Sequence, residues 1–318
     1  MIIWIVFLAF ILFALALDLG VFNKTPHEIS TKEATMWTGI WVFCALAFSV
    51  VIYFAFLNQW VDNPTNLKPK KAVVKYITGY LIELSLSVDN IFVIALIFSS
   101  FSIPKKYQHE VLFYGILSAV VFRAIMIFFG VALISKFDWI VYVFGVFLIF
   151  TAFRMLFLTR EDEEEKQPQN SIIYKWINKI YPITHKIEND KFFIKENGVK
   201  YATPLFVALI IIEFTDIFFA VDSIPAILAI TADPFIVFSS NVLAIMGLRS
   251  MYFLVSGMLD KFRFITYSLV VILAFVGFKM LFSHQLDLPE WLSITVIVVA
   301  LTGGIVASYI IIPEKSKE

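Results

Sequence analysis

The 318 residues are 60% apolar, 17% aromatic and 16% charged, against roughly 25% charged in a soluble domain. This excludes a soluble globular domain and a disordered chain, and the continuous rather than alternating apolar stretches exclude a β-barrel. Lys plus Arg and Asp plus Glu both number 25, so nothing favours a nucleic acid, and the single cysteine, Cys44, excludes an intrachain disulfide or a thiolate zinc cage.

Nine apolar segments follow in chain order, at 2–22, 37–57, 76–99, 111–134, 139–158, 203–230, 236–258, 264–283 and 291–312. A bilayer core of about 30 Å needs about 20 such residues per helix, so the predicted fold is all-α and polytopic, with about nine transmembrane helices. The first segment reads as a retained helix, because no Lys or Arg precedes it as in a secretory signal. The four histidines fall in the predicted connections, which argues against an imidazole-rich metal site in the membrane. Residues 1–75 hold two helices and a basic loop, 76–158 a three-helix unit, 159–202 a linker, 203–283 a second three-helix unit, and 284–318 a last helix and tail. Within the linker, the acidic run Glu161–Glu165 reads as solvated, Ile172–Ile177 as amphipathic, and Asn197-Gly198 as a hairpin turn. Connections after odd-numbered helices, with the C-terminal tail, carry 16 Lys and Arg; the opposite side carries 5. The bias predicts an N-terminus outside and a C-terminus in the cytosol.

The two three-helix units resemble each other. Leu86-Ser87-Val88-Asp89-Asn90-Ile91 matches Phe219-Ala220-Val221-Asp222-Ser223-Ile224 at an offset of 133, which also sets Glu83 on Asp216. Arg123 falls on Arg249 at 126, and Phe153–Phe157 on Phe278–Phe282 at 125. Units of three helices must be inverted relative to each other, an architecture found in transporters with a site at the midplane. Helices 3–5 and 6–8 are therefore predicted to be inverted repeats.

Glu83, Asp89, Glu213, Asp216 and Asp222 lie in the third and sixth segments. Each ionised, unpaired acid at the bilayer centre would cost about 2.5–3.5 kcal/mol. A cation, protonation or an arginine must compensate. Arg123 and Arg249 bring two charges to five carboxyls, and a divalent ion would bring the balance near neutral; oxygen ligands favour hard ions such as Mg²⁺, Ca²⁺ or Mn²⁺. Glu213 and Asp216, three apart, share a helical face; Glu83/Asp89 and Asp216/Asp222, six apart, sit about 120° round a straight helix. Convergence of either six-apart pair on one ion thus requires locally broken helices. Pro225 encourages a break in the sixth, and Ser85, Ser87 and Asn90 would satisfy freed backbone in the third. Asn90, Ser223, Asn241 and Asp18 are further candidate ligands, although Asp18 fits a helix interface, and Asn241 an interhelical hydrogen bond, better than a ligand role. Purely structural ion pairing with Arg123 and Arg249, or a proton relay, are alternative roles for the acids.

These residues also carry a resemblance that runs over nearly the whole chain. Asp18-Leu19-Gly20-Val21-Phe22 with Lys32-Glu33-Ala34, then Leu84-Ser85-Leu86-Ser87-Val88-Asp89-Asn90-Ile91-Phe92, and then Glu213-Phe214-Thr215-Asp216-Ile217-Phe218-Phe219-Ala220-Val221-Asp222-Ser223-Ile224-Pro225-Ala226 resemble the signatures of the TerC (tellurium-resistance) family. Asp233–Phe238 and Gly247-Leu248-Arg249-Ser250 continue the likeness. The resemblance is to the Alx-like branch and implies a nine-helix bacterial inner-membrane protein that exports Mn²⁺, with the five acids along the path. No resident cofactor is expected; the expected partners are the divalent ion and the bilayer. No Gly-x4-Gly-Lys-Ser/Thr motif supplies ATP chemistry, so an ion gradient, of protons by preference, is the expected drive. An intramembrane aspartyl protease would need Gly-x-Gly-Asp, absent at Asp89 and Asp222, so no enzyme is expected. The rival without transport is a membrane scaffold for metallation or for resistance to metal and tellurite stress.

Overall fold

A computed structural model describes residues 2–17, 29–63, 66–137, 139–157, 172–196, 198–256, 264–282 and 289–310, with the backbone alone at 17, 88, 89, 92, 154, 157, 172, 222, 265, 290 and 309. The helices are α1 (Ile2–Leu17), α2 (Thr31–Leu57), α3 (Pro69–Ser100), α4 (Lys105–Lys136), α5 (Ile140–Phe157), α6 (Ile172–Ile180), α7 (Pro204–Leu228), α8 (Pro234–Ser256), α9 (Ile265–Leu281) and α10 (Glu290–Ile310). A hairpin of β1 (Phe193–Glu196) and β2 (Val199–Ala202) precedes α7. A helix stands at each predicted apolar segment. Among the described residues five of them, α2, α4, α7, α8 and α10, are long and apolar enough to cross a bilayer; α1, α5 and α9 contain shorter apolar stretches.

In α1 the stripe Ile3, Phe7, Ile11, Leu15, at helical spacing, is buried. Phe7 meets Phe48 of α2 and Phe235 and Phe238 of α8. The remaining apolar faces point outward, with Phe43 71% and Phe218 70% exposed. A surface this apolar suits hydrocarbon rather than water. α8 is the opposite case, buried nearly all round at the centre of the bundle. Pro69 opens α3 and Pro204 opens α7, where the missing N–H costs nothing.

The two helical triplets pack reciprocally. α3 lies on α8 as α4 lies on α7; α5 lies on α9, and α3 also meets α7 and α4 meets α8. Exchanging the triplets maps these pairings onto themselves. α5 and α9 come close because Gly145 faces Gly277: a methyl built on Gly277 would stand 2.9 Å from the Gly145 carbonyl oxygen.

The helices depart from expectation in three places. α3 begins seven residues before the predicted 76, because Lys75 donates from Nζ to the Ile230 carbonyl at 2.7 Å, beyond the end of α7, and so anchors the basic first turns. α4 begins at Lys105, so His109 lies inside a helix and is buried, not in a polar connection. Neither α3 nor α7 is broken. Pro225 sits in the last turn of α7, where one missing N–H is accommodated by the nearby helix end, and Ala229 still donates to the Pro225 carbonyl at 3.0 Å.

The amphipathic segment forms α6, and β1 pairs with β2 in antiparallel register from Phe193↔Ala202 to Glu196↔Val199. Gly198 takes φ +84° at the turn, a conformation glycine adopts without strain. At about 1.5 Å per residue the 32 residues of α3 and of α4 each extend about 48 Å, longer than the hydrocarbon core. α6 and the hairpin cover one end of this length: Ile177 and Ala202 join a buried cluster with Ile97, Phe98, Val111 and Leu205. The acidic run 161–165 lies outside the described residues.

Candidate cation site

The spacing along α3 puts Glu83, Ser87 and Asn90 on one face, at i, i+4 and i+7. The same spacing on α7 aligns Asp216, Ala220 and Ser223, the residues 133 further on. Where the two helices meet, all of these positions are buried. Asn90 donates from Nδ2 to Asp216 Oδ1 at 3.0 Å. Ser223 stands beside Glu83. These two juxtapositions are images of each other under the 133-residue offset: 90 with 216, and 223 with 83.

Arg123, on α4, breaks this balance. The residue is 2% exposed, and its guanidinium reaches acids of both helices. Nη1 donates to Glu83 Oε1 and, at 3.0 Å, to Asn241 Oδ1 on α8. Nη2 donates to Asp216 Oδ1 at 3.3 Å. Asn241 is held by its own bond from Nδ2 to the Val237 carbonyl, at 2.9 Å. One cation thus faces two carboxylates in a low-dielectric interior, where breaking such a pair is costly.

Glu213, one turn before Asp216, turns instead toward α4, where the Ser118 hydroxyl donates to its Oε1. Ser118 had no signal in the sequence, being one serine among apolar residues. Arg249 does not join Arg123 at the α3–α7 contact. It lies eight residues beyond Asn241, about 12 Å along α8, lines a cavity with Glu33, Trp37 and Trp41, and is near enough to Glu110 to act on it electrostatically. A further polar contact missed by the sequence reading lies at that end: Tyr252 donates to Gln108 Oε1 at 3.0 Å. Asp89 and Asp222 lie on continuous helix, but their side chains, like all of Asp18, lie outside the described residues.

Several oxygens of the acids and their neighbours on α3 and α7 are left over. Glu83 Oε2, Asp216 Oδ2, Glu213 Oε2, Asn90 Oδ1 and the hydroxyls of Ser87 and Ser223 are all buried without a hydrogen-bond partner of good geometry among the described residues. An orphaned buried polar group costs about 1–3 kcal/mol. Oxygen-only donors of mixed charge are the ligand type of hard cations. Among the described residues no three His, Cys, Asp or Glu side chains form a metal cluster; the carboxylates are shared between Arg123 and Ser118 instead.

The model of the integral membrane protein TerC family matches residues 68–316. The chain is 47% identical over 307 residues to a Myxococcus xanthus protein named only as a membrane protein, STKORF319, covering 96% of this chain and 92% of that one. It is 41% identical over 307 residues to a membrane protein of Rickettsia bellii, covering 96% and 97%. It is also 41% identical over 295 residues to Alx of Escherichia coli K12, named as a candidate membrane-bound redox modulator, covering 92% and 90%. No solved structure matches. Matched by the family model over most of its length and by these relatives almost from end to end, this multi-pass membrane protein belongs to the TerC family.

Proposed function

We propose that the protein is a secondary transporter that exports Mn²⁺ across a bacterial inner membrane, with helices 3–5 and 6–8 of the transmembrane count, α3–α5 and α7–α9, acting as inverted repeats. The observation that carries this reading is the set of buried, unpartnered oxygens where α3 meets α7. The repeat supports it through the mirrored contacts Asn90–Asp216 and Ser223–Glu83.

In this reading Glu83, Asp216 and the repeat-related Asp89 and Asp222 are the anionic ligands. Asn90, Ser223 and Ser87 add neutral oxygens. The Arg123 guanidinium is a tethered cation that holds Glu83, Asp216 and Asn241 between transport events and yields the same oxygens to a divalent ion. The shift from one arginine charge to two metal charges calls for a proton to leave or enter, and Glu213, hydrogen-bonded to Ser118 beside the cluster, is the acid placed to carry it. Arg249, outside the Arg123 cluster, is assigned to charge balance along the path rather than to a ligand.

The name of the Alx relatives points to redox. With Cys44 as its single cysteine the chain has no thiol pair of its own, so we assign any redox effect to the redox-active cation it moves. A scaffold without transport is the rival reading. The test is Mn²⁺ accumulation in cells expressing matched amounts of wild type, Asp89→Asn and Asp222→Asn. Each variant should stay in the membrane and lose export. Wild-type export by both would refute the ligand assignment.

A further inference from the structure

The linker helix α6 carries three adjacent stripes. Ile173 and Ile177 turn inward, with Ile177 buried, and Tyr174 stacks on Phe101 just beyond the end of α3. Next to them on the helix surface, Trp176 and Ile180 are 55% and 54% exposed, although apolar. Beyond these lie Lys175 and Lys179, both exposed and without an ion-pair partner among the described residues. Each stripe repeats at i, i+4.

A helix that needed only to cap the bundle would present polar residues on all of its outer surface. This one presents a tryptophan and an isoleucine bordered by lysines, the pattern of a helix lying in a bilayer interface with its indole at headgroup depth. Its position agrees. Phe192 of the same linker meets Tyr114, on the outward face of α4, nine residues and about 14 Å into that helix. The linker therefore reaches down the flank that continues into the lipid-facing surface. Lys186 pairs with Glu196, Lys191 with Glu188, and Lys200 lies over the Tyr181 and Phe193 rings, whereas Lys175 and Lys179 remain for an external anion.

We propose that α6 is an interfacial anchor: Trp176 and Ile180 insert into the bilayer at the headgroup boundary, and Lys175 and Lys179 bind the phosphates of anionic phospholipids. Because α6 also packs against the ends of α3 and α7, the lipid surface is coupled mechanically to the two helices that carry the acid cluster.

The test uses the full chain with Cys44→Ser and Trp176→Cys, labelled with an environment-sensitive fluorophore, in vesicles of phosphatidylcholine with or without phosphatidylglycerol. Ile180→Cys serves as a second probe site that keeps the tryptophan. Spin-labelled lipid should quench the label strongly and aqueous iodide weakly, with more lipid quenching when phosphatidylglycerol is present. Lys175→Glu with Lys179→Glu should abolish that difference between the two bilayers. Iodide quenching with none from lipid would put the face in water, and quenching by neither would put it under another protein chain; either overturns the anchor. Equal lipid quenching in both bilayers would overturn the phosphate contact.

Discussion

Arg123 is the residue on which the site's electrostatics turn, because one guanidinium faces both Glu83 and Asp216. Truncating it leaves two buried carboxylates unpaired. Arg123→Leu should therefore destabilise the protein by about 3–5 kcal/mol, read as a lower thermal midpoint and less folded protein in detergent. Adding Glu83→Gln should restore part of that loss, since the double variant buries one uncompensated charge fewer; no restoration would mean that the pair does not carry the effect. Ser118→Ala tests the proton role differently. It should leave the folded amount near wild type while moving the pH dependence of Mn²⁺ transport, because only the partner of Glu213 is lost. The acids and arginines were legible in the sequence, since a charge in an apolar span demands compensation. Which arginine meets which acid was not. Arg123 and Arg249 are equivalent in the repeat, and only the packing of α3, α4, α7 and α8 distinguishes them.

At the level of elements, α5 and α9 approach each other closely through Gly145 and Gly277. A methyl group on Gly277 would stand 2.8 Å from Ile149 Cγ1 and 2.9 Å from the Gly145 carbonyl oxygen. Gly277→Ala should force these helices apart and cost about 1–3 kcal/mol. Gly39→Ala, with nothing within 4 Å, should be neutral or mildly stabilising by helix propensity. Thermal unfolding of the two variants side by side checks this. At the start of α8, Asp233 accepts from the Ile236 N–H at 3.0 Å as an N-cap. Burial pushes its carboxyl above the usual range, and the N–H groups of Ile236 and Phe235 pull it partly back. The folded state therefore holds this proton more tightly than the unfolded chain. The stabilisation is full below the unfolded carboxyl range and is lost as pH rises through the folded value. Asp233→Asn should keep the cap and remove that slope, whereas Asp233→Ala should cost about 1 kcal/mol, seen in melts run across acidic pH. Helix positions were readable from apolar runs. The unbroken α3 and α7 were not, because the expectation of a break rested on Glu83 meeting Asp89 and Asp216 meeting Asp222 on one ion, whereas Glu83 and Asp216 face Arg123 from two continuous helices. Terminal turns were also misplaced where polar residues, Lys75 bonded to the Ile230 carbonyl and the buried His109, continue the helix.

For the whole molecule, composition alone identified a helical membrane protein. The linker's docking on α3, α4 and α7 was not readable, because short amphipathic pieces do not declare what they cover. The basic-residue bias predicts a cytosolic linker: with Cys44→Ser, a cysteine at the exposed His185 should resist an impermeant thiol reagent on intact cells and react after lysis. Labelling before lysis would invert the topology. The central claim, that the acid cluster between α3 and α7 moves a divalent ion, is tested most directly by Mn²⁺ flux in proteoliposomes containing only this protein. Wild type should carry Mn²⁺ in response to an imposed proton gradient, and Asp216→Asn, reconstituted at equal density, should not. No flux in wild type, or equal flux in both, would contradict the account.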